Sequence, residues 1–138
     1  MDDEGPRFED LPAWRAAMDF AMAVYRATDA WPEVERDGLA AELRHEAVVV
    51  SSKIAAAHAL SEGAPALAVA AFGLARAALR DVEMRLHIAR DLGLLEAEIA
   101  AALLARVEGL RPQIDALLRG LPEPPVEIDP FAPPFHPN

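Results

Sequence analysis

The residues whose types and spacing could do chemistry are few. Glu42-Leu43-Arg44-His45 sets a carboxylate and an imidazole three residues apart, the spacing with which carboxylate-bridged di-iron bundles hold metal from one helix. Such a centre needs a second Glu-x-x-His pair and two more inward glutamates, and the chain has no second pair. His45 also falls opposite the apolar positions of its own helix. Glu83 and His87 are four apart on a polar stripe with Arg76 and Arg80, which offers a loose surface cation site at best. Ser51-Ser52 has no base arranged nearby to activate a hydroxyl, and no glycine-rich phosphate loop occurs. Without cysteine there is no disulfide, no thiol nucleophile and no Cys-ligated zinc. The residues therefore point to no catalytic, cofactor or metal site, and the expectation is a protein that is not an enzyme.

Charge narrows the partners. The formal net charge is −10, with the excess acid in the first half of the chain and its last residues. Polyanions are bound by Lys and Arg displacing counterions, so direct nucleic-acid binding is disfavoured. Arg76, Arg80 and His87 form the one coherent basic stripe, interrupted by Glu83, and a weak phosphate contact there is the most the sequence offers. Asp81 and Arg85 have i,i+4 spacing within a sector otherwise made of Leu67, Leu74, Ala78, Ile88 and Leu92. That sector implies partial burial, and charges at depth need partners. Asp81 or Glu83 is therefore expected to meet Arg44 or Arg85, either between helices or between subunits.

The elements that carry these residues are helices. Apolar residues make up 53% of the 138-residue chain and are mostly Ala, Leu and Val with few aromatics, the composition of packed helices rather than pleated strands. Helical periodicity predicts four segments: residues 11–30, with Asp10 as N-cap and Phe8 packing back on the start; about 34–60, stopped by Ser61-Glu62-Gly63; 65–92, closed by a left-handed Gly93; and 96–119, with a kink or break near Glu108 caused by Pro112. The fold class expected is all-α, an up-and-down antiparallel four-helix bundle over residues 8–121, preceded by an acidic extension (1–7) and followed by a proline-rich tail (122–138). The acidic N-terminus and the lack of a long apolar run predict a cytoplasmic protein.

At 100° per residue the expected seams are Leu11, Trp14, Met18, Met22 and Tyr25 on the first helix, and Leu39, Leu43, Ala47, Val50 and Ile54 on the second. Ile99, Leu103, Val107, Leu110, Ile114 and Leu117 form the seam of the fourth. Phe20 and Val24, and Val48 and Val49, fall off their seams and are expected to face another copy of the chain. In the tail, Val126, Ile128, Phe131 and Phe135 alternate with prolines that forbid helix, which suits either a solvated end or an extended segment that docks on a neighbour or partner.

Residues 8–121 resemble the 23S rRNA intervening-sequence proteins, a four-helix bundle family that includes the accessory variability determinant of diversity-generating retroelements. The resemblance rests on Phe8-Glu9-Asp10-Leu11 with Trp14, Val24-Tyr25, Thr28, Trp31-Pro32, Glu35, Gly38-Leu39 and Leu43-Arg44. It resumes with Ala75-Arg76, Leu79, Asp81, Glu83, Leu86, Ala89 and Leu92-Gly93-Leu94-Leu95. The chain departs from the family pattern where a stretch resembling Ser-Val-Pro-Ala-Asn-Ile-Ala-Glu-Gly reads Val49-Val50-Ser51-Ser52-Lys53-Ile54-Ala55-Ala56-Ala57, and where a Gly-Ser pair reads Ala77-Ala78. The apolar skeleton is kept and the polar residues are not. The resemblance implies a bundle that assembles into a homopentameric ring with no known catalytic activity. The retroelement branch is a basic adaptor for a reverse transcriptase and its RNA, a character this acidic chain lacks. The function expected is thus a non-enzymatic, self-associating adaptor or scaffold. The alternative is a nucleic-acid-associated accessory protein that partners a reverse transcriptase or ribosomal RNA.

Overall fold

The computed structural model describes residues 7–122, and within them every regular element is helical. The helices are α1 (Pro12–Thr28), α2 (Leu39–Leu60), α3 (Pro65–Asp91) and α4 (Ala97–Arg119), with 3-10 turns at Phe8–Asp10 and Glu33–Glu35. Each helix packs on the next, and α1 also packs on α4, closing a four-membered arrangement around one apolar core.

Local chemistry sets the ends. α1 opens with Pro12 in its first turn, where a missing N–H costs nothing, and Phe8 packs edge-on against Trp14 with ring centroids 5.1 Å apart. Leu11, not Asp10, is the N-cap residue, and no side chain caps it. α2 starts at Leu39 rather than near Val34, because Glu33–Glu35 wind into a tighter turn and Gly38 interrupts before the helix sets off. Gly93 has φ +80, and the bonds from Gly93 N to Arg90 O (3.0 Å) and Leu94 N to Ala89 O (2.9 Å) form the paired closure of a helix that ends in a left-handed residue. α4 runs unbroken through Pro112, contrary to the break expected near Glu108. Pro112 and Glu108 are both exposed, so water can serve the carbonyl that loses its donor.

The core is rich in alanine. Ala40, Ala47 and Ala57 of α2 and Ala68, Ala75, Ala78 and Ala89 of α3 are all buried, and α2 and α3 make the most extensive contact in the bundle. Small side chains let two backbones approach closely. Leu43, Val50 and Ile54 of α2 and Leu103, Val107, Leu110 and Ile114 of α4 are buried on the expected faces.

On α1 the expectation is inverted. Phe20 and Val24 have 0% exposure and lie at the centre of the bundle, so they cannot face another copy, whereas Met18, Met22 and Tyr25 point outward. The buried arc is Ala13, Ala17, Phe20, Ala21, Val24 and Thr28. Alanines fill it where the helices come close, and that leaves the bulkier methionines outside. α3 is displaced in the same way. Ala68, Phe72, Leu79, Val82 and Leu86 are buried, while Leu67, Leu74, Ile88 and Leu92 are exposed together with Asp81. Asp81 is therefore a surface residue, not a half-buried one.

Candidate interaction surfaces

The charged residues singled out above are held in three places. Across α1 and α2, Arg44 donates from Nε to Thr28 Oγ1 (2.8 Å) and from Nη2 to the Tyr25 carbonyl (3.2 Å), and its guanidinium lies over the Tyr25 ring, 4.7 Å from the centroid. Thr28 in turn donates to the Val24 carbonyl (2.9 Å). Arg44 thus serves the last carbonyls of α1, where a cation also complements the helix dipole. It meets no carboxylate among the described residues.

Between α2 and α3, Arg85 reaches Glu42 (Nε to Oε1, 3.4 Å). The Glu-x-x-His glutamate is thereby engaged in an ion pair, and His45, one turn further along α2, is exposed. Between α3 and α4, Arg111 bridges Glu83 (2.7 Å) and Glu108 (2.9 Å). Hydrogen bonds that Arg111 donates to Glu108, with the negative charge of Glu83 beside it, raise the Arg111 pKa above its ordinary value and outweigh partial burial. Glu83 thus pairs with a helix-four arginine rather than with Arg44 or Arg85. A tool for finding Arg111 lay in the sequence, since Glu108 and Arg111 are one turn apart, but its reach to Glu83 depends on tertiary packing.

Asp81 has no hydrogen-bond or ion-pair partner among the described residues. The basic stripe is partly neutralised, because Arg76 pairs with Asp115 (3.1 Å), while Arg80 and His87 are exposed. No three His, Asp or Glu residues cluster as a metal ion would require among the described residues. Val126, Ile128, Phe131 and Phe135 lie outside the described residues.

The distinctive features are outside the core. Met18, Met22 and Tyr25 share one face of α1, and Tyr25 borders a groove with Val48 of α2, whereas Val49 is half-buried against the core. The groove encloses about 390 Å³ and is lined by Tyr25, Arg36, Ala41, Arg44, His45 and Val48. The second apolar surface runs along α3, where Leu67 is 59% and Leu92 65% exposed. No helix among the described residues is long and apolar enough to cross a membrane.

A small helical bundle whose outer faces carry its unusual chemistry is the class these observations define. The chain belongs to the 23S rRNA-intervening sequence protein family, whose model matches residues 9–116. The match bears out the resemblance carried by Trp14, Trp31-Pro32 and Leu92-Gly93. A comparison with curated proteins finds no match.

Proposed function

We infer that the protein is a non-enzymatic, self-associating bundle that works as an adaptor or scaffold in the cytoplasm. The observation that carries this reading is the pair of outward apolar surfaces, Met18, Met22, Tyr25 and Val48 on one side and Leu67, Leu74, Ile88 and Leu92 on another. Covering a side chain of this kind is worth about 1.5–3 kcal/mol, so leaving both surfaces in water forgoes a large stabilisation. Family membership supports a homopentameric ring as the assembly. The same reading takes the four helices as an up-and-down bundle, because the connections at residues 61–64 and 92–96 are too short to cross it and successive helices are neighbours.

Size-exclusion chromatography with light scattering tests the reading. The wild-type chain should elute as a multimer, and Met22→Glu or Leu74→Glu should shift it toward the single chain without loss of helical circular dichroism. Elution of the wild-type protein as one chain would end the proposal.

A nucleic-acid-associated role, beside ribosomal RNA or a reverse transcriptase, is the second reading, and the family description, which mentions 23S rRNA, speaks for it. The net charge of −10 and the pairing of Arg76 with Asp115 speak against direct phosphate binding. Affinity for RNA that falls steeply with salt would favour this second reading.

A further inference from the structure

The exposed face of α3 repeats with a period of seven. Leu67, Leu74, Asp81 and Ile88 are spaced seven residues apart, with Ala77 and Met84 between them, and all six are exposed. This is the 3.5-residue repeat of a seam made to lie against another helix. Its one charge is Asp81, and that carboxylate has no partner among the described residues.

The groove between α1 and α2 has the opposite character. Its 390 Å³ is lined by Arg36, Arg44 and His45 with Tyr25, Ala41 and Val48, and by no acidic residue. Arg44 is bound only by a hydroxyl, a carbonyl and an aromatic face, so its charge is not neutralised. Arg36 is exposed and without a carboxylate partner among the described residues. In a chain of net charge −10, this groove gathers positive charge that no carboxylate answers beside the apolar Tyr25 and Val48.

We propose that the α3 seam of one copy seats in the α1–α2 groove of the next, with Asp81 paired to Arg44 and Arg36. This rests on the self-association inferred above and specifies which surfaces meet. Apolar residues then cover apolar residues, and the unpaired acid meets the unneutralised arginines. A two-fold contact through either surface would instead set Asp81 toward Asp81, or Arg44 toward Arg44, and like charges disfavour it. Because the seam is on α3 and the groove is lined from α1, α2 and the segment between them, no residue is shared between them, and each copy can offer a seam to one neighbour and a groove to the other. Such head-to-tail contacts close into rings when the rotation allows.

The absence of cysteine makes the contact directly testable. Two differently tagged full-length variants, Asp81→Cys and His45→Cys, are co-expressed and mildly oxidised, and covalent dimers are read on a non-reducing gel. The expected product links position 81 of one chain to position 45 of the other, in clear excess over 81–81 links. Asp81→Arg should raise the dissociation constant of the assembly by roughly tenfold or more. Dominant 81–81 links in an assembled protein would overturn the proposal. So would links from position 45 of one chain to an Ile128→Cys variant of the other, since a neighbour's tail would then fill the groove. In both cases self-association would stand, whereas a wild-type protein that remains a single chain would remove that reading first.

Discussion

Arg44 illustrates how one side chain can join two elements. Its bonds to Thr28 and to the Tyr25 carbonyl fasten the end of α1 to α2, so Arg44→Ala should cost about 1–2 kcal/mol in urea unfolding, from the lost charged hydrogen bonds and ring contact. Arg111, between Glu83 and Glu108, is more exposed, and Arg111→Gln should cost only about 0.5–1 kcal/mol, less at high salt. The guanidinium pKa is raised in the folded state, so this contribution is fully present below the unfolded value and is lost only when strong alkali passes the folded one. Chemical melts through the neutral range should therefore reveal no loss of charge at Arg111 itself. Which residues are charged and close in sequence was readable beforehand. The pairings were not, because Glu83 to Arg111 and Arg85 to Glu42 join different helices and depend on which faces meet.

At the level of the helix, all four segments and most of their stops could be read from punctuation: Pro12, Gly63, Pro65 and Gly93 each stand where an end is. Gly93→Ala should cost about 1–2 kcal/mol, because an L side chain at φ +80 meets its own backbone. The buried face of α1 was not legible by size. Both arcs of that helix are apolar, and the rule that large residues lie inward selected Met18, Met22 and Tyr25, whereas the close packing of the bundle selects Ala13, Ala17 and Ala21 around Phe20 and Val24. Paired substitutions distinguish the two arrangements. Phe20→Ala should destabilise the chain by about 3–5 kcal/mol, and Met22→Ser should change it by no more than about 0.5 kcal/mol when unfolding is followed at concentrations too low for association. On α2 and α4 the large residues Leu43, Val50 and Ile54, and Leu103, Val107 and Leu110, lie on the expected faces, whereas Ile99, expected in the α4 seam, is exposed because Ala100 takes the buried position of that turn.

For the molecule as a whole, the inverted face of α1 and the seam of α3 have the same consequence: a bundle with a filled core still presents two apolar surfaces to water. Family membership fixes the kind of fold over residues 9–116, and the outward residues are the ground for the proposed self-association. Sedimentation equilibrium of the wild-type chain across micromolar concentrations tests this most directly. The account predicts a mass that is a multiple of 14.9 kDa and that falls toward a single chain for Leu74→Glu. A mass of one chain at every concentration, with the helices intact, would contradict it.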